Sequence, residues 1–592
     1  MHIRDRRRPN RPRHSPLSLI KVLILCISLT LTTIWPMRAQ TQPPIDIVPP
    51  QRPMPVEPVF PPTSPPPVLR QPELPPIPPV SPEDTQRLPL PSFLLRQIKI
   101  SGNTVFSQAA LAAVVQPYLN RNVTTEDLES LRRALTRLYV DAGYINSGAV
   151  LPDQRIRGGI VRYHIVEGAL TNVTLSGKRR FRDGYLRRRL MLDLEPPLNT
   201  NALQTRLRYL QQDGRVERLD AELKPGIWPG ESELHVEVTE RPSFLVTLEF
   251  NNYQSATIGA ERGLLVLSHR NVTGHGDILN VTFGRSAGQD LQVDTNYNPP
   301  LTARDTTLRL GYQRNTSSVI SGSFEVLDID SESETWELTL RHPFYHDLRR
   351  EFALSLGAKR AHSSTSLLGM PFSFSAGAEN GETTVTALNL TAEWHDRTPT
   401  SVLAAQSRFT LGGNAFDATI HSDSDIPDSR FAAWLGQFQW AKRLTSRHLQ
   451  LRFRLTVQLT TEPLLPTEQI AIGGRFSVRG YRENQLIRDN GLLAAVEIPI
   501  SLVQNKPWAE LVNIVPFFDY GRGWNRKVAT LGRTDLASIG LGVQWAAMVR
   551  WFIPIRAQLD VWWGEQLLDV DTEGGNLQDK GLHLQFAVSS QL

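Results

Sequence analysis

Leu451-Arg452-Phe453-Arg454-Leu455-Thr456-Val457-Gln458-Leu459 alternates apolar and polar side chains without interruption. A period of two sends successive side chains to opposite faces of a sheet, so this stretch reads as a strand with one oily and one wet face. The pattern recurs on both sides of it. Phe244, Val246, Leu248 and Phe250 alternate with Leu245, Thr247 and Glu249, and Leu279, Val281 and Phe283 with Asn280 and Thr282. Leu308, Leu310 and Tyr312 do the same, as do Ala557, Leu559, Val561 and Trp563, and the final run Leu582, Leu584, Phe586 and Val588. A soluble sandwich also alternates, but with shorter strands whose apolar faces meet in a core. Here strands of about ten residues, with aromatics near their ends, recur across 243–592, which is the pattern of a transmembrane β-barrel with lipid outside and a wet lumen inside. At about 22 residues per strand and connection, that length accommodates about 16–18 strands. The twelve tryptophans suit lipid-facing girdles on such a barrel.

Before Pro242 the period lengthens and the texture repeats once. Ile100-Ser101-Gly102-Asn103 opens one copy and Leu175-Ser176-Gly177-Lys178 the next. Leu131, Leu135 and Leu138 line one helical face, and Leu203, Leu207 and Leu210 another. Each helix runs into a glycine, Gly143 or Gly214, suited to a C-terminal cap. Strand-like stretches Val161–Val166 and Glu233–Val238 end the copies. The expected organisation is therefore two small α+β modules, 93–167 and 168–240, followed by a barrel over 241–592.

Further upstream, twenty of the 43 prolines fall between Pro43 and Pro91. Proline lacks an N–H and restricts its predecessor, so 40–92 reads as an extended spacer. Residues 1–39 read as a signal peptide: an arginine-rich start, then the uncharged, largely apolar run Val22–Ile34, too short for the roughly 20 residues that span a membrane. Cys26, the chain's one cysteine, lies in that run, so a cleaved chain has neither disulfides nor thiolate metal sites. The formal charge of +5 also belongs to the leader, whose removal leaves 56 basic against 58 acidic side chains. A nucleic-acid partner is thus not expected. No His-x-x-x-His pair on a helical pattern, phosphate loop or Gly-x-Ser-x-Gly elbow is found, which argues against a metal site, a cofactor and an enzyme. Arg179, Arg180, Arg182, Arg187, Arg188 and Arg189 form a basic cluster in the second module. It is either a solvated face or a contact for substrate or anionic lipid.

Two stretches go beyond periodicity. Val478-Arg479-Gly480-Tyr481 lies in a glycine-flanked segment, 473–484, between alternating regions, and Phe517-Phe518-Asp519-Tyr520-Gly521 lies in a later strand-like run. Phe517, Asp519 and Gly521 share one face; an ionised Asp toward lipid is costly, so that face should be the lumen. A Val-Arg-Gly-Tyr loop followed by Phe-x-Asp-x-Gly resembles the BamA/TpsB superfamily of outer-membrane assembly and export proteins. The repeats are then similar to POTRA domains. Gly143, Tyr144 and Ser147, then Pro152 and Gln154, then Gly168 resemble the first POTRA of the two-partner secretion transporters, the haemolysin-activator type exemplified by ShlB and FhaC. Two repeats instead of five also favour that branch.

The resemblance implies an outer-membrane translocation pore with periplasmic POTRA domains that carries a large unfolded haemolysin- or adhesin-type exoprotein to the cell surface. It implies as partners the exoprotein's N-terminal secretion domain, outer-membrane lipid, and the barrel-assembly machinery that inserts the pore. The segment Gln40–Glu83 shows no helical pattern that would form a plug. Within the lumen, Arg479 is expected to pair with Asp519, since a planar guanidinium grips a carboxylate through two hydrogen bonds. The rival readings are a BamA-like insertase and a passive solute porin.

Overall fold

The computed structural model describes residues 92–320, 322–444, 449–550, 553–568, 570 and 581–591. The expected signal peptide and proline-rich spacer lie outside the described residues.

The helix Thr125–Asp141 shows why the first module folds. Thr124 caps it, accepting from the Asp127 N–H while the Asp127 side chain accepts from the Thr124 N–H. Leu128, Leu131, Leu135 and Tyr139, three and four residues apart, then form one buried stripe. That stripe packs with Val161, Tyr163 and Ile165 on the central strand, Ile160–Val166, of a three-stranded sheet. Strand Gln97–Ser101 lies parallel to it on one side and Gly148–Val150 antiparallel on the other.

The second module repeats this plan. Its opening strand Ala169–Ser176 runs parallel to its last, Glu231–Glu240, with Val216–Pro225 on the far edge. Leu203, Leu207 and Leu210 of helix Thr200–Gln212 enter its core. The two helix ends differ from expectation in one respect. Gly143 adopts the left-handed φ of +93° that the cap requires, whereas Gly214 does not, because the second helix stops at Gln212 and Asp213 is already extended.

From Phe244 onward the chain is a closed antiparallel barrel of sixteen strands. Segments Asn490–Glu497 and Ile500–Lys506 both pair with Ala509–Trp524 and are one wall strand interrupted at Pro499, which has no N–H to donate. The last strand, Leu582–Gln591, pairs with the first, Phe244–Asn251, and leaves no open edge. Strand length exceeds the expected ten residues in places: Ile329–His346 and Arg350–Leu367 have 18 each. Crossing a bilayer takes about 9–11 residues, and the polar run Asp330–Glu334 occupies the excess, so this hairpin continues beyond the apolar band. Leu338, Leu340, Leu356, Leu388, Leu390, Phe409 and Leu411 are exposed on the outside of the wall, a surface suited to lipid. Among the described residues no helix is long and apolar enough to cross a membrane.

The luminal loop and its anchorage

Strands Ile470–Ile472 and Leu486–Arg488 pair as a small hairpin that carries the segment 473–484 between them. The tip is tightened locally: Gly474 N–H donates to Val478 C=O at 3.0 Å, and Arg475 N–H to the Glu483 carboxylate at 2.9 Å. Ile472, Val478, Tyr481 and Leu486 are buried together with Leu536 of the wall. Gly521 makes this seat possible, because a Cβ there would stand 2.5 Å from Ile472 Cγ2 and 2.8 Å from Val478 Cγ2.

The loop is fixed to the wall mainly by Arg479. Its Nε and Nη2 each donate to Asp519 at 2.7 Å, and its own backbone N–H adds a third bond to the same carboxylate at 3.0 Å. The remaining Nη1 lies 2.9 Å from Glu497. Asp519 is 0% and Arg479 2% exposed, so this is a fully enclosed pair with the bidentate geometry of the strong kind. The guanidinium also sits in the corner of two rings set edge to face, 3.9 Å from the Phe517 ring centroid and 4.5 Å from that of Trp562. Gly540 and Gly542 leave room for these rings, since a Cβ at either would fall 2.6 Å from Phe517 Cζ or 2.2 Å from Trp562 Cε3. Glu497 accepts in addition from Arg454 at 2.8 Å, with Arg452 at 3.9 Å. One carboxylate thus faces three guanidiniums.

The neighbouring motif residues lock onto the next strands of the same wall, Asp535–Arg550, Pro554–Gln566 and Leu582–Gln591. Gly480 has a φ of +91°, and a Cβ there would lie 2.7 Å from Gly564 C=O. Only glycine meets both constraints. Its N–H donates to His583 Nε2 at 3.2 Å and its C=O accepts from Gln566 at 2.5 Å. The Tyr481 hydroxyl lies 2.9 and 2.8 Å from the carbonyls of Ala537 and Leu568.

The second set of motif residues lies in the two α+β modules and divides in two. Gly143, Ser147 and Gly168 form the joint between the modules. Gly143 C=O accepts from both the N–H and the hydroxyl of Thr200 at 2.9 Å; Gly168 N–H donates to Ser147 Oγ at 2.8 Å, and its C=O accepts from Leu198 N–H at 2.7 Å. Tyr144 lies edge-on to Tyr139, beside Leu194 and Pro197 of the second module. Pro152 and Gln154 are elsewhere: the Gln154 amide bonds both the N–H and the C=O of Arg162 at 2.8 Å and closes that stretch of strand edge.

Glu497, Trp562, Gln566 and His583 were missed by motif reading. Their one signal is parity: each shares the luminal face of its strand. Trp562 also corrects the expectation that tryptophans face lipid. It stands inside, 6% exposed, where Arg479 needs an electron-rich face, whereas Trp563 beside it points outward at 51%.

Paired α+β modules, a closed sixteen-strand barrel and a loop bound inside it define an outer-membrane transporter of the POTRA–barrel class. The chain belongs to the haemolysin secretion/activation protein family ShlB/FhaC/HecB, which it matches over residues 230–545, and residues 93–168 match the ShlB-type POTRA domain. It is 25% identical over 455 residues to the outer membrane transporter CdiB of Escherichia coli, covering 73% of each chain. In fold it is similar to solved CdiB from Escherichia coli, with a TM-score of 0.63 at 20% identity over 87% of this chain and 93% of that one. It is also similar to BamA of Haemophilus ducreyi lacking POTRA domains 1–3, with a TM-score of 0.53 at 14% identity, over 84% and 100% of the two chains. At family level the chain is thus a transporter and not an enzyme.

Proposed function

We propose that this chain is the pore of a two-partner secretion system, exporting one large unfolded exoprotein of haemolysin or adhesin type. The observation that carries this reading is the loop 473–484, folded into the lumen and fastened there by Arg479. A passive porin needs an open lumen, whereas a polypeptide conduit needs an occupied one that changes when its client arrives. Charged side chains suit that task, because water and the moving chain's polar groups can solvate them when they part. In the periplasm the exoprotein's N-terminal domain is captured by the two modules, 93–167 and 168–240, the second being a POTRA domain like the first. The outer edges of the second sheet, Ala169–Ser176 and Val216–Pro225, are the strands at which an extended segment can add by β-augmentation. The periplasm offers no ATP, so capture, threading and folding outside must each run downhill.

The test is deletion. Removing either module should abolish export while the barrel still reaches the outer membrane with heat-modifiable gel mobility. Export that persists without both modules rules out capture by them. Loss of other outer-membrane barrels on depletion would instead favour an insertase.

A further inference from the structure

The arginine cluster of the second module lies at the periplasmic rim of the barrel and serves two purposes. Arg182 and Arg189 hold the module to the rim. Arg182 donates from its backbone to Gly274 C=O and from Nε to Thr273 C=O, both at 2.9 Å, and Arg189 pairs with Asp305. The other arginines are directed differently. Arg180 Nη1 lies 3.0 Å from His269 Nε2. His269 pairs in register with Phe244 and shares its strand face with Leu265 and Leu267. That is the outer face of the wall, on which Phe244 is 55% exposed. Arg180 therefore reaches round the rim onto the surface that faces lipid. Val272 and Leu301, on the turns that Arg182 and Arg189 grip, are exposed apolar residues that mark the same level.

Arg179, next to Arg180 in the chain, is exposed, as are Arg187 and Arg188 on the helix Asp183–Leu190, whose last turn also carries the rim-bound Arg189. Among the described residues none of the three has a carboxylate partner. Glu240 binds this turn through its backbone and not through a guanidinium: its Oε1 accepts from the N–H groups of Arg179, Arg180 and Phe181 at 2.8, 2.9 and 3.0 Å. We propose that Arg179, Arg180, Arg187 and Arg188 form a binding surface for the phosphates of anionic phospholipid headgroups in the periplasmic leaflet. A guanidinium offers phosphate two parallel N–H bonds. An anionic membrane surface also attracts each nearby cation. The occupant is lipid and not a protein client because Arg180 already meets His269 on the lipid-facing side of the wall, and Arg182 and Arg189, flanking Arg187 and Arg188 in sequence, are bound to the rim turns. Bound lipid would fix the height and tilt of the second module under the pore.

The full chain is placed in nanodiscs of phosphatidylcholine containing a minority of phosphatidylglycerol, and the lipids it retains on gentle release are counted by native mass spectrometry. The wild type should retain phosphatidylglycerol preferentially. The triple variant Arg179→Gln/Arg187→Gln/Arg188→Gln should lose that preference by about tenfold or more, and each single variant by up to about fivefold, the worth of one cation at an anionic surface. Heat-modifiable mobility of each variant shows that the barrel is intact. Raised salt should weaken the preference in the wild type alone. An unchanged preference in the triple variant overturns the proposal, as does a preference that emerges only when the exoprotein's N-terminal domain is present.

Discussion

The luminal loop and the joint between the two periplasmic modules are both marked by short glycine-bearing motifs, yet they are fastened by different physics. The loop is anchored mainly by one guanidinium shared between two carboxylates and set against two rings. The joint contains no ion pair among its motif residues: Gly143, Ser147 and Gly168 are bound through neutral backbone groups. The enclosed ion pair is costly to break in place, but once the loop leaves the wall and water enters, both charges can be solvated, whereas the joint's amides would each need a new partner. The proposed function requires the loop to be released while the joint stays.

The largest effect should come from Arg479. Its removal leaves Asp519 buried without a cation, at a local cost of about 3–5 kcal/mol if fully desolvated and less if water enters. Arg479→Ala should reduce export of the exoprotein severely while the protein still reaches the outer membrane. Arg479→Lys should restore only part, because it keeps the charge and loses the fork. Export and outer-membrane abundance, measured together, check this; equal failure of membrane assembly would make Arg479 a folding residue instead.

An intermediate effect is expected at the joint. A Cβ on Gly168 would stand 2.2 Å from Asn146 Cγ, whose amide is already held by Gly230 C=O and Ser232 Oγ at 3.1 Å. Gly168→Ala should destabilise the fragment 93–240 by about 1–3 kcal/mol, the usual range for overpacking. Its melting temperature should fall by roughly 2–10 °C. Unchanged melting would mean that the joint yields and is no rigid connection.

The smallest effect tests the neighbour of that glycine. Burial opposes the charge on Glu167, but hydrogen bonds from Thr104, Tyr139 and Val105 outweigh it and hold the carboxyl below its ordinary value. Such a group adds stability that is complete above its unfolded pKa of about 4.3 and is lost as pH falls through the lower folded one. Acid titration of the 93–240 fragment by circular dichroism should show this loss, and Glu167→Gln should flatten it. Equal acid sensitivity in both proteins would exclude Glu167 as its source.

Much of this architecture was legible because alternation encodes a face. Parity, with the cost of an ionised carboxylate facing lipid, placed Asp519 on the luminal side, and the helical spacing of Leu131 and Leu135, and of Leu203 and Leu207, placed two helices on two sheets. What stayed hidden depends on register, which no single strand contains. Glu497 and Trp562 approach Arg479 only because their strands lie beside Ala509–Trp524 or two strands away, and His583 reaches Gly480 from the strand after that of Trp562. The joint was invisible for a related reason: Gly143 and Gly168 take part through their backbone groups, which have no side-chain signature. The arginine cluster was legible as charge but not as place, since its division between rim contacts and outer surface is set by how the module docks.

The account turns on Arg479 and Asp519 acting as one fastening in the transport cycle. A double-mutant cycle on exoprotein export, comparing Arg479→Ala, Asp519→Ala and the double variant at matched outer-membrane abundance, measures that coupling directly. The account predicts that the double variant exports no less than the worse single variant, because the second substitution removes only a partner that is already lost. Defects that multiply would show that the two residues act independently, and would contradict it.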